Sequence, residues 1–167
     1  DVRGENGAWS GGAASGLTAL RSAIWSVREK RCDAALVVAA DSWVSIGAVR
    51  DLLRMAPGEH IESPGEAGVA LLIESMASAN KRQAPIFGML DTLRGESDTL
   101  SVEDHFPQLG RCHAADGLLA VALRIAMGRT GGWFEAQDMG QPPVGVCLDL
   151  SHANACYAQP VEGTPNG

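Results

Sequence analysis

The stretch Ser10-Gly-Gly-Ala-Ala-Ser-Gly-Leu17 constrains this chain more than any other. A run of small residues makes a tight turn, and Leu17, Leu20, Ile24 and Val27 then recur at helical spacing. Ala19 and Ala23 fall between them, so the predicted helix, 14–29, is apolar nearly all round as far as Trp25. Such a helix belongs inside a protein, between two layers. Arg28-Glu-Lys-Arg31 closes it with positive charge, which suits the negative end of the helix dipole. Small residues ahead of a buried helix have two readings. They allow tight packing, or they let a ligand approach the free N–H groups of a helix N-terminus.

Downstream, Ala34–Ala40 is a continuous apolar run, the pattern of a strand covered on both faces. A helix is expected over 46–55 and a buried strand after Gly65, to about Ser75. Residues 76–82 read as a polar helical turn and 84–91 as a further strand. Residues 94–104 read as surface loop. A second apolar helix is expected at 114–128, with Asp116 near its positive end, followed by strands at 144–150 and 155–161. Two buried helices, each followed by apolar strands, point to an α/β fold of stacked layers. The 167 residues make one domain, with approximate halves 1–82 and 83–161 and a tail at 162–167.

Composition excludes several classes. A net charge of −7 argues against nucleic acid, which needs clustered Lys and Arg. No apolar run reaches membrane-spanning length and no signal peptide is visible, so a soluble, cytoplasmic protein is expected. The four cysteines, Cys32, Cys112, Cys147 and Cys156, have no metal spacing and read as reduced thiols. Neither a metal nor a cofactor is implied. The abrupt start at Asp1, without Met, is compatible with a removed or missing beginning.

The opening stretch resembles the nucleophile elbow of the β-ketoacyl synthases of the thiolase superfamily, where Thr-Ala-Cys-Ser-Ser-Gly-Leu opens the central helix. Aligned without gaps, Ser15, Gly16 and Leu17 match, and the nucleophilic cysteine falls on Ala13. Three further stretches follow in the family's order. Arg31-Cys-Asp-Ala-Ala-Leu-Val-Val-Ala-Ala-Asp41 is similar to the strand after the nucleophile helix. Ser63-Pro-Gly-Glu-Ala-Gly-Val-Ala-Leu-Leu-Ile-Glu74 is similar to the family's G-E-G-A-G strand. Leu109-Gly-Arg-Cys-His-Ala-Ala-Asp-Gly-Leu-Leu119 is similar to its G-H-x-x-x-A-S-G helix start. Ala153-Asn154-Ala155 is similar to the G-T-N-A turn, and Val102-Glu-Asp-His105 to V-E-x-H.

The departures are specific. Arg111 stands where the G-H histidine belongs, with His113 two residues along. Phe106 and Pro107 replace the residues expected after V-E-x-H. The early strands and helices of the family have no counterpart, and the second half is compressed.

The resemblance implies a shortened, thiolase-like layered fold and a role in fatty-acid or polyketide-type acyl-chain biosynthesis. Condensation needs a thiolate to carry the acyl chain and imidazoles or amides to stabilise the enolate and oxyanion. An alanine at position 13 carries no acyl group. The expected role is therefore non-catalytic, like that of a chain-length factor. Such a protein forms a heterodimer with an active ketosynthase, or a homodimer, or binds an acyl or acyl-carrier-protein ligand around Gly11, Gly12, Ala13 and Asn154.

Alternatives remain open from the sequence. His113, His105, Cys112 and Arg111 are candidate catalytic groups, and Cys112 is the one thiol with basic neighbours in sequence. An active acyltransferase would use Cys112 or residues outside this chain. Ser10 or Ser15 would need an adjacent base. A Rossmann-like ligand-binding domain is the rival from another class, although Gly7–Gly16 lacks the G-x-G-x-x-G pattern.

Overall fold

A computed structural model describes residues 4, 6–10, 12–55, 64–93, 99–100, 109–128, 131–137 and 141–153. The elements run α1 (Ser15–Arg28), β1 (Ala34–Ser42), α2 (Ile46–Met55), β2 (Glu66–Glu74), α3 (Met76–Lys81), β3 (Met89–Asp91), β4 (Thr99–Leu100), a 3₁₀ turn (His113–Ala115), α4 (Asp116–Ala126), β5 (Gly132–Ala136) and β6 (Val144–Asp149). The two apolar helices stand where the periodicity places them. The second opens with the 3₁₀ turn before settling into α geometry.

Among the described residues the strands form two sheets. β1 pairs antiparallel with β2, from Ala34↔Glu74 to Ser42↔Glu66. The second sheet has the order β3-β6-β5-β4. Its β3–β6 and β5–β6 pairs are antiparallel, and β4 runs parallel to β5. This pairing contradicts the Rossmann-like alternative, whose open sheet is mostly parallel.

α1 touches β1, β2 and β6, and α4 touches β2 and β5, so each helix meets both sheets. Where the helices cross, glycine is required. A Cβ on Gly117 would lie 2.5 Å from Leu17 Cγ, and one on Gly16 would lie 2.8 Å from the Ala114 carbonyl oxygen. Around this crossing Leu17, Leu20, Leu118, Val121, Val146 and Leu148 are almost fully buried. Each contributes roughly 1.5–3 kcal/mol of transfer free energy.

Several expectations need correction. β1 is covered on one face only: Val37 and Ala39 are buried, while Leu36 and Val38 are 68% and 61% exposed. β2 follows the same alternation, with Val69 buried and Leu72 exposed. Both faces of these strands are apolar, so the sequence period cannot show which face the core takes. α1 is likewise not sealed all round, because Trp25 is 47% exposed. The strand expected over 84–91 is limited to Met89–Asp91, and the unforeseen β5 sits between α4 and β6. The polar helical turn or linker expected at 76–82 agrees with the helix α3, whose Ser75 hydroxyl accepts from the Ser78 N–H at 3.1 Å. The expected strand 155–161 and the tail lie outside the described residues.

Candidate functional site

Ala13 sits half-buried in the turn ahead of α1. Gly12 takes φ 104°, a left-handed conformation that costs glycine little, and its carbonyl accepts from the Ser15 N–H at 3.1 Å. Ala14 precedes the helix with no side-chain cap. Thr18 donates both its N–H and its hydroxyl to the Ala14 carbonyl, at 2.9 and 2.8 Å. The first turn of α1 packs directly on the 3₁₀ turn, where the Ala114 carbonyl fills the space a side chain at Gly16 would need. The start of α4 thus comes up against the start of α1, a meeting of Gly16 and Ala114 that their wide separation in sequence does not announce.

Asp41, at the end of β1, ties this corner together. Its Oδ2 accepts from Trp43 Nε1 at 3.1 Å and from the Ala114 N–H at 3.2 Å, while Oδ1 accepts from the Ser42 N–H at 2.8 Å. His113 Nδ1 lies 3.6 Å from the same Oδ2, and the His113 ring stands 4.7 Å from the Trp43 ring at 56°. Burial alone would raise the Asp41 pKa. The Trp43 indole, the Ala114 and Ser42 N–H groups and the His113 charge together outweigh it and hold the carboxyl below its usual range. His113 adopts φ 42°, a strained value for a non-glycine residue.

A second carboxylate organises the loop before α4. Asp116 is buried at the helix start, accepts from the Cys112 N–H at 2.7 Å and pairs with Arg111 Nε at 3.3 Å. Burial pushes its pKa up. The Cys112 N–H, Arg111 and His113 offset this only in part. Gly65 closes the corner. Its N–H donates to the Arg111 carbonyl at 2.8 Å, and its own carbonyl accepts from the Trp43 N–H at 2.9 Å. A Cβ here would fall 2.2 Å from the Leu109 carbonyl and 3.1 Å from Cys112 Sγ. Glu66 accepts from the Ser42 hydroxyl at 2.9 Å across the β1–β2 pair.

The candidates therefore divide. His113 and Ala13 belong to neighbouring turns at one corner. Arg111, in the histidine position of the resemblance, is engaged with Asp116. Cys112 is not the thiol with basic neighbours that the sequence suggests. It is fully buried, and its pKa is raised by that burial and then by Asp116, Asp41 and Glu66. Such surroundings disfavour the thiolate that nucleophilic catalysis needs. His105, Gly11 and Asn154 lie outside the described residues. Asp41 and Trp43 were missed as site residues. Their only signal is a polar pair at the end of an apolar strand. Among the described residues no cluster of His, Cys, Asp and Glu is placed to hold a metal ion, and no helix is long and apolar enough to cross a membrane.

No family model and no curated protein matches this chain. Solved structures do. One is a chain from the AntDE:AntF complex, a type II polyketide synthase acyl-carrier protein in complex with its ketosynthase bound to the hexaketide. It matches with TM-score 0.64 at 10% identity, over 83% of this chain and 61% of that one. Another is the ishigamide ketosynthase/chain length factor, with TM-score 0.63 at 18% identity, over 88% of this chain and 57% of that one. This chain thus spans between 57% and 61% of the length of the chains it matches, and over that span it shares their fold.

Proposed function

We propose that this protein is a ketosynthase-like member of a polyketide- or fatty-acid-type acyl-chain pathway that performs no condensation itself. In this reading it is a chain-length-factor-like partner of an active ketosynthase, or a binder of an acyl chain or acyl-carrier protein. The observation that carries it is the methyl group of Ala13. It occupies the turn that opens the interior helix α1, beside the 3₁₀ turn of His113 and Ala114, where the resemblance puts the attacking sulfur. The fold shared with a ketosynthase/chain length factor supports the same reading. The alternative, an active acyltransferase using Cys112, is disfavoured by that thiol's burial and acidic surroundings.

Intact-protein mass spectrometry after incubation with malonyl and acyl thioesters tests this. The wild-type chain gains no mass. The Ala13→Cys variant gains a single acyl group, because a thiol at a helix N-terminus is activated. An acyl adduct on the wild-type chain would overturn the reading. So would an Ala13→Cys variant that folds and stays unmodified.

A further inference from the structure

Two left-handed residues bracket the loop ahead of α4: Gly110 with φ 68° and His113 with φ 42°. Glycine adopts that conformation freely, whereas histidine does so where its surroundings hold it. The surroundings of this loop are specific. The Arg111 carbonyl accepts from the Gly65 N–H at 2.8 Å, and the Cys112 carbonyl accepts from the Ala115 N–H at 3.0 Å. The Ala114 N–H donates to Asp41 at 3.2 Å. Two further ties converge on one side chain: Asp116 Oδ1 accepts from the Cys112 N–H at 2.7 Å, and Oδ2 faces Arg111 Nε at 3.3 Å.

We infer that Asp116 is a positioning residue: its ionised carboxylate clasps Arg111 and the Cys112 N–H together, and so keeps His113 left-handed with its ring seated against Trp43 and Asp41. The seat is defined by a ring separation of 4.7 Å and by His113 Nδ1 at 3.6 Å from Asp41 Oδ2. The Asp116 side chain is 11% exposed and the Arg111 side chain 41%. Burial penalises the charged carboxylate, and the Asp116 pKa is raised in spite of Arg111. Such a group binds its proton more readily folded than unfolded, so its charge lowers stability at neutral pH. A carboxylate that served mainly to stabilise the fold would be shifted down, as Asp41 is. The ion pair therefore acts on geometry: it draws Arg111 toward the start of α4 and closes the loop over the fully buried Cys112. No neighbouring element brings a cation that could replace Arg111. β1 contributes Asp41 and β2 contributes Glu66, both of which act on Cys112. The first turn of α1, Ser15–Thr18, is uncharged, and the one charged residue of β5 is Glu135, which accepts from Trp133 Nε1 at 3.0 Å. The inference is independent of the acyl-chain reading, although it sets where an imidazole stands beside the turn of Ala13.

Asp116→Asn, followed by NMR at neutral pH, tests it. Asparagine keeps an oxygen for the Cys112 N–H and removes the charge. The nuclear Overhauser contact between the His113 and Trp43 rings, present in the wild type, should be lost. The melting temperature should stay within about 2 °C of wild type or rise. Arg111→Gln breaks the same pair from its exposed end and should abolish the same ring contact. The wild-type chain should reach this released state in acid, with a midpoint above 3.8, as Asp116 takes up its proton. Protonation of His113 draws the ring toward Asp41 and does not mimic the release, and Asp41 itself takes up a proton below 3.8. A ring contact that survives in either variant overturns the proposal. So does a wild-type contact that persists in acid to below 3.8. A larger fall in melting temperature, or an Asp116→Asn chain that does not fold, makes the pair a support of overall stability and likewise overturns it.

Discussion

Replacing Asp41 tests whether one carboxylate holds the end of β1 to the start of α4. In Asp41→Ala, Trp43 Nε1 and the Ala114 N–H lose their acceptor. The Ser42 N–H, on the exposed side, turns to water. Hydrogen bonds to a charged acceptor contribute roughly 1.5–3 kcal/mol each, and the Asp41 side chain retains 28% of its exposure. Two bonds at the low end amount to about 3 kcal/mol, and screening of the part-exposed carboxylate lowers this to about 2–3 kcal/mol. For a chain of this length that is a fall of roughly 5–10 °C in melting temperature, and Asp41→Asn, which keeps one acceptor oxygen, should lose about half as much. The pH dependence has a definite sign. The folded pKa lies below the usual value of 3.8, so the unfolded chain binds the proton more readily. The stability Asp41 supplies is complete well above 3.8 and is lost as pH falls through the depressed folded value. Melting followed by circular dichroism from about pH 7 to about pH 2.5 should show the wild-type advantage shrinking only below about pH 4. An Asp41→Ala variant within about 2 °C of wild type at neutral pH, or an advantage undiminished in acid, would refute the assignment.

Two further outcomes follow from the packing. Gly117→Ala should destabilise by about 1–2 kcal/mol, because its Cβ meets the fully buried Leu17, while Gly47→Ala in α2, with nothing within 4 Å, should stabilise by up to about 1 kcal/mol. Urea midpoints moving in the same direction would contradict this. In the native protein Cys112 should react with iodoacetamide on the order of 100-fold more slowly than the half-buried Cys32, as read by peptide mass mapping. Comparable rates would show that the thiol is neither buried nor held protonated.

Helical spacing was enough for α1 and α4, because an interior helix repeats its apolar residues whichever side faces the core. Strand placement was legible where an apolar run is bounded by turns, as at β1, β2 and β6. It failed at β5, whose Gly132-Trp-Phe-Glu-Ala136 is too short and too near the end of α4 to declare a period. The resemblance led to Ala13 and Arg111 through motif order alone. Cys112 drew attention because Arg111 and His113 flank it in sequence; in space Arg111 pairs with Asp116, and the buried thiol is shifted up by burial and by carboxylates.

The amino-acid sequence by itself determined the two interior helices and the small-residue turn, with Ala13 in it, that opens the first. Each is a local property of a few consecutive residues. Tertiary structure alone decided that the starts of α1 and α4 meet, that Asp41 ties the end of β1 to the start of α4, that Asp116 is buried against Arg111, and that, among the described residues, one face and one edge of β1 stay open. These depend on which distant segments share a corner. A single glycine contact, such as Gly16 against Ala114, settles that in space and leaves no trace in spacing or composition.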